Sequence, residues 1–136
     1  MSFIYRRKIN YYETDRMGVV HHSNYIRFLE EARCRWLEEL EMPMEVLEKN
    51  NLTIPTLEVN CAYKHHVTAG DTITIEPKID DFNGVRMTVS YEVKNEKTGE
   101  IVIIPKTKHC FTTLDLKPVN LKKANLNFYN KFNGLM

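Results

Sequence analysis

Between Tyr25 and Leu40 the apolar residues Tyr25, Phe28, Leu29, Ala32, Trp36, Leu37 and Leu40 recur at steps of three and four. That spacing places them on one face of a helix about 17 residues long. Glu30, Glu31, Arg33, Arg35, Glu38 and Glu39 mostly take the other face. A helix with a single apolar stripe must bury it against a second layer. The rest of the chain indicates what that layer is. Phe3, Tyr5, Arg7, Ile9 and Tyr11 fall on one side of a period-two pattern, so 3–12 reads as a strand. After the helix, Pro43 can start a shorter helix through Glu48, ended at Asn50-Asn51. Then the period returns to two, with strand-like runs at 54–66, 71–81, 85–95 and 100–114. Phe82-Asn83-Gly84 and Lys97-Thr98-Gly99 are turn signals between them, and Pro105 bends the last run or places it at an edge. The expected order is strand, helix, then an antiparallel meander of four strands, an α+β arrangement. Residues 1–118 read as a single domain. The tail, 119–136, is rich in Lys and Asn and is either a short helix around 126–132 or mobile chain.

A chain of 136 residues can bury one real core and is too short for two ordinary ones. With 19 basic against 18 acidic residues it lacks the basic excess of a nucleic-acid binder. No apolar run approaches the length of a transmembrane helix. The N-terminal ten residues alternate charge and apolarity without the apolar stretch of a signal peptide, so the expected compartment is the cytoplasm. Cys34, Cys61 and Cys110 are odd in number and widely spaced, and read as reduced thiols.

The run from Tyr12 to Tyr25 carries the chemistry. It leaves a strand-like segment, passes Gly18 and opens the amphipathic helix, with Ser23 or Asn24 as its N-cap candidate. Asp15 therefore stands just ahead of a helix N-terminus, whose backbone N–H groups are unpaired and carry roughly half a positive charge. A carboxylate that can attack or activate water, beside donors that can receive a developing oxyanion, is what acyl transfer requires. An aspartate pairing with local N–H groups in a turn is the structural alternative. Glu13 reads as a structural or supporting acid. Gly18 fits a positive φ or a close approach of substrate. Asn24 and Tyr25 suit capping and packing at the helix base as well as they suit substrate contact. His21, His22, His65 and His66 raise a zinc site, but adjacent histidines on strands point to opposite faces and no pair has structural-zinc spacing. No metal and no nucleophilic cysteine are expected.

The run Tyr-Tyr-Glu-Thr-Asp-Arg-Met-Gly-Val-Val-His-His-Ser-Asn-Tyr at 11–25, continued by Phe28-Leu29-Glu30-Glu31-Ala32-Arg33, resembles the 4-hydroxybenzoyl-CoA thioesterase family and its Tol-Pal-associated acyl-CoA thioesterase branch. Pro55-Thr56-Leu57-Glu58-Val59, Tyr63-Lys64 and Gly70-Asp71 match a second block, so the resemblance covers about residues 3–118. It implies a hot-dog fold, a five-stranded antiparallel sheet wrapped around one long central helix. It further implies hydrolysis of an acyl-CoA thioester to a carboxylic acid and free CoA. Asp15 would be the nucleophile or general base, and the backbone N–H of His22 would polarise the carbonyl. Substrate-binding positions carried over are Gly18, Val19, Asn24, Tyr25, Lys64 and Arg86. No cofactor is implied, since CoA is part of the substrate, and two or four protomers are expected to associate. A non-catalytic hot-dog protein that binds an acyl thioester or a partner is the competing reading. The dehydratase motif of the same fold is not found.

Overall fold

The computed structural model describes residues 3–136. Strand β1 is Tyr5–Lys8, helix α1 is His22–Glu39 and helix α2 is Met44–Lys49. Four further strands follow: β2 at Thr56–Tyr63, β3 at Thr72–Phe82, β4 at Arg86–Asn95 and β5 at Ile101–Cys110. Two short helices close the chain, α3 at Leu121–Ala124 and α4 at Leu126–Asn133. The strands form one five-stranded antiparallel sheet in the order β1-β3-β4-β5-β2. Among the described residues no helix is long and apolar enough to cross a membrane.

The residues cluster into two compact units. One holds the chain up to Trp36 with Cys61–Pro77 and Tyr91–Pro105; the other holds Leu37–Asn60, Lys78–Ser90 and Lys106–Met136. In the first, β1 runs antiparallel to β3 with Tyr5 opposite Ile75 and Lys8 opposite Thr72. Its core is built from the α1 stripe, where Phe28, Leu29 and Ala32 are buried, together with Ile73, Ile75 and Val93. The alternation of buried and exposed residues along β3 and β4 is what a sheet with one covered face requires. In the second unit, Phe82, Phe111 and Phe132 meet with ring centroids 5.5–5.7 Å apart. Asn120 and Asn125 cap α3 and α4, each side chain accepting a backbone N–H. These contacts and the burial of Phe128 and Phe132 make the tail helical, the first of the two expectations for it.

The β3–β4 turn forms as expected. Gly84 takes φ +87°, and Asn83 Oδ1 accepts from the N–H groups of Val85 and Arg86. Four other expectations are corrected. The first strand stops at Lys8 rather than Tyr12, because Glu13 turns back to accept the Asn10 N–H at 2.8 Å and winds Tyr11–Glu13 into a 3-10 turn. The four later strands are not a simple meander. β3, β4 and β5 are neighbours in sequence order, but β2 lies beside β5 at the sheet edge. The β2–β3 connection is too long to force a hairpin, whereas the β3–β4 turn is tight. β5 is consequently interior, so Pro105 does not mark an edge. The burial alternation slips by one step at Val102–Ile103, the kind of local irregularity at which an interior strand accepts proline. Finally, regular pairing of β2 ends at Tyr63 instead of His66. The N–H groups of both Lys64 and His65 converge on the Val102 carbonyl at 2.9 and 3.1 Å, a bulge-like arrangement.

Candidate active site

The loop ahead of α1 is short and closed by its own backbone. Asp15 N–H donates to Val19 O at 2.8 Å, Gly18 N–H donates to Asp15 O at 2.9 Å, and Thr14 bridges to Val20. Gly18 takes φ +78°, which satisfies the turn, and a Cβ there would meet nothing within 4 Å. The Asp15 carboxylate is half-buried, and its Oδ1 accepts the Met17 N–H at 2.8 Å. No other donor among the described residues reaches it. Asp15 thus fills the turn role with one oxygen and keeps the other open.

Helix α1 begins one residue before the expected caps. The role falls to His21, whose Nδ1 accepts the Ser23 N–H at 3.2 Å and lies 2.8 Å from Ser23 Oγ. Asn24 does not cap; its Nδ2 donates to Glu13 O at 2.8 Å, tying the helix to the 3-10 turn. The N–H of His22, the first residue of α1, has no acceptor among the described residues. The first turn of α1 contains no acidic side chain, so nothing there neutralises the positive end of the helix. The His22 ring is exposed, stacks on His21 at 4.3 Å and meets Tyr63 edge-on at 6.2 Å.

These groups surround a cavity of about 330 Å³. Asp15, Val19, His22, Tyr25 and Lys64 line it, so five of the eight positions read from the sequence come together. Gly18 and Asn24 do not reach its wall, and Arg86, exposed at the start of β4, is not among its lining residues. Met17, Val20, Tyr63, His65 and His66 also line it and were not anticipated. Met17 and Val20 sit inside the run already singled out. Tyr63 ends β2, and His65 and His66 follow it past the bulge-like step that breaks the alternation, which would otherwise send every second side chain away. His65 is held in place, with Nδ1 2.8 Å from the Ile101 carbonyl and Nε2 3.4 Å from Glu100. Among the described residues no group of three or more His, Cys, Asp or Glu side chains has a metal-holding arrangement.

Besides Asp15 and Lys64 the wall is built from imidazole, phenol and apolar side chains. Burial, followed by the neighbouring Cys61 and Tyr63, pushes the Tyr25 hydroxyl up to about 12. Burial also raises the Tyr63 hydroxyl and the Cys61 thiol, the latter against an opposing hydrogen bond with Tyr63. All three are neutral at ordinary pH.

The family description "Thioesterase-like superfamily" matches residues 9–127. A provisionally assigned esterase of Aquifex aeolicus is 36% identical over 110 residues, covering 81% of this chain and 84% of its own length. The provisionally assigned acyl-CoA thioesterase YneP of Bacillus subtilis is 30% identical over 118 residues, covering 86% and 85%. Among solved structures, the DHNA-CoA thioesterase from Staphylococcus aureus superimposes with a TM-score of 0.90 at 26% identity, over 96% of this chain and 88% of that one. With its α+β architecture, its five-stranded antiparallel sheet and a match that spans most of its length, this chain belongs to the thioesterase-like superfamily of hot-dog proteins.

Proposed function

We propose that this protein is an acyl-CoA thioesterase in which Asp15 supplies the reacting carboxylate and the His22 backbone N–H receives the oxyanion. The observation that carries this reading is the shared wall: a half-buried carboxylate lines the same cavity as the first residue of α1, and among the described residues one carboxylate oxygen has no donor and the N–H of His22 has no acceptor. The thioester carbonyl would lie between them. Asp15 either attacks the carbonyl carbon or removes a proton from the water that does. The negative charge that forms on oxygen is taken up by the N–H and the field of α1, a contribution of about 3 kcal/mol for one such donor. On the nucleophilic route the intermediate expels the CoA thiolate and leaves an acyl–Asp15 anhydride, which water then cleaves to the acid and the free carboxylate, a proton of that water going to sulfur. On the general-base route the attacking water becomes the acid's hydroxyl, and the proton taken up by Asp15 passes to the departing sulfur. CoA enters only as part of the substrate, and the chemistry calls for no further cofactor.

The run from 11 to 25 supports the 4-hydroxybenzoyl-CoA thioesterase type and its Tol-Pal-associated branch. The buried stripe of α1 supports its role as the central helix that the sheet wraps in this fold. Self-association is part of the same reading. β2 is an edge strand with both faces largely uncovered, including Leu57, Val59 and Tyr63. An edge of this kind invites pairing with a second copy. Because Tyr63 lies on both that strand and the cavity wall, a partner there would help complete the pocket.

The test is release of free thiol from a panel of short, long and aromatic acyl-CoAs by wild type and Asp15→Asn. Asparagine keeps the oxygen that accepts from Met17 and preserves the turn, so the fold should survive. Turnover should fall by ~10²–10⁴. A folded Asp15→Asn protein with wild-type turnover refutes the assignment, and a wild type that binds acyl-CoAs without releasing thiol favours the non-catalytic reading.

A further inference from the structure

Arg7 lies on β1, eight positions before Asp15, and every N–H of its guanidinium is used. One NH1 hydrogen reaches Lys8 O at 2.8 Å and the other reaches Glu13 Oε1. NH2 reaches Glu13 Oε2 at 2.5 Å and Glu31 Oε2 at 3.3 Å, and Nε reaches Glu31 Oε1 at 3.0 Å. The face of the group rests on the Phe28 ring, 4.4 Å from its centroid. The side chains of Arg7 and Glu13 are only 14% and 6% exposed. Burial works against the charge on Arg7, yet the hydrogen bonds it donates to Glu13 and Glu31 outweigh it and raise its pKa well above the ordinary value.

What distinguishes this cluster is where its ends are attached. Glu13 is two residues from Asp15. Its carboxylate binds Arg7 and the Asn10 N–H, while its backbone carbonyl accepts from His21 N–H at 2.9 Å and from Asn24 Nδ2 at 2.8 Å. Glu31 stands further along α1 and also receives the Tyr5 hydroxyl at 2.9 Å. The result is a closed circuit: β1 to Glu13, Glu13 to the start of α1, α1 to Glu31, and Glu31 back to β1 through the same guanidinium. The Asp15 loop is the segment enclosed by it. Arg7 and Glu13 form a buried ion pair, with Glu31 more exposed at its edge beside Arg35, and an apolar replacement of such a pair would often hold a fold as well. Stability alone is therefore a weak reason for this arrangement, whereas a planar fork fixes two carboxylates in orientation as well as in distance.

We propose that Arg7 is a positioning residue for thioester hydrolysis, acting through Glu13 to hold the Asp15 carboxylate at a fixed distance from the His22 N–H. This rests on the reading of Asp15 given above. Misplacement of a reacting group by about 1 Å costs ~10²-fold in rate, so a loosened clamp should act on kcat while leaving substrate binding nearly intact.

The experiment is a double-mutant cycle of Arg7→Lys with Asp15→Asn, followed by thiol release and accompanied by circular dichroism and thermal melting. Lysine keeps the charge but has three donors on a point and cannot reproduce the fork. Arg7→Lys should lower kcat ~10–100-fold with KM within about threefold, and should cost little further in the Asp15→Asn background, because the group it positions is already gone. If Arg7→Lys does not fold, Glu13→Gln takes its place in the same cycle; it keeps one acceptor for Asn10 and removes the charge. An equal loss of kcat in both backgrounds assigns Arg7 a general structural role and overturns the proposal. So does a folded variant with wild-type kcat. Wild-type turnover in Asp15→Asn alone would instead refute the catalytic reading, and the two failures are told apart by that single-variant arm.

Discussion

Replacing His22 by proline and by alanine separates the two ways this residue could act. His22 is the first residue of α1, and its N–H has no acceptor among the described residues. That is the one helical position where proline is tolerated, since the N–H it removes has no intrahelical partner and its fixed φ suits the first turn. His22→Pro therefore deletes the proposed oxyanion donor with little damage to the helix. Loss of one such donor costs about 2.7–4 kcal/mol, or 10²–10³ in kcat. His22→Ala keeps the donor and removes only the exposed ring, with its stacking on His21 at 4.3 Å and its edge contact with Tyr63 at 6.2 Å. Contacts of that kind are worth about 0.5–1.5 kcal/mol, and they act on the wall's shape rather than on charge in the transition state. The expected order of kcat is wild type, then alanine within about tenfold, then proline a further order of magnitude or more below. The assay is thiol release under saturating acyl-CoA, with circular dichroism confirming the helix in both variants. A folded proline variant with wild-type kcat removes the backbone donor from the mechanism. An alanine variant as slow as the proline one transfers the role to the imidazole.

Two further outcomes are expected. Burial pushes the Glu31 carboxyl up, but the hydrogen bonds from Arg7 and Tyr5 outweigh it and hold the group below the ordinary glutamate value. A carboxylate depressed on folding stabilises the protein above its unfolded value, ~4.3, and that stability is lost as pH falls through the lower folded value. Melting temperature should consequently drop more steeply below about pH 4.3 in wild type than in Glu31→Gln, and parallel curves would dismiss the linkage. Sedimentation at micromolar concentration should give at least twice the 16.1 kDa of one chain, and a fully active monomer would rule out a pocket completed by a second copy.

The parts of the fold set by local pattern were legible in the sequence. The α1 stripe from Tyr25 to Leu37 is buried as its spacing requires, and Asn83-Gly84 makes the turn its residue types favour. What could not be read were features decided by residues distant in sequence. β1 looks longer than it is because Ile9 and Tyr11 continue the period; only the capture of Glu13 by Arg7 and Asn10 ends it. Strand periodicity carries no information about which neighbour a strand chooses, so β2 beside β5 was invisible. In the site, the compact motif brought Asp15, Val19, His22 and Tyr25 to one wall. Of the consecutive wall residues 63–66 only Lys64 was read, because a bulge-like step cancels the period-two rule just where it would have been applied. One signal for the clamp was present: Arg7 falls in phase with the apolar side of β1, a position where a charge needs partners.

The proposed choice of a carboxylate over a thiol agrees with the state of the cysteine and tyrosine side chains near the wall. Cys61 is the cysteine nearest the site's aromatic residues, and burial raises its pKa while Tyr63 only partly offsets the shift. A thiol kept protonated is a poor nucleophile. Even if ionised, it would exchange one thioester for another and leave the harder hydrolytic step undone. Tyr25, pushed up to about 12, does not supply an anion either. Among the residues that line the cavity, Asp15 is the acidic side chain, and its one committed oxygen fixes the direction in which the other points. In the proposed mechanism the reaction's charge changes fall on two groups, the Asp15 carboxylate and the His22 N–H. A substitution at either should therefore act chiefly on kcat, while changes to the surrounding Tyr63, Met17 or Val20 should act chiefly on which acyl group is accepted.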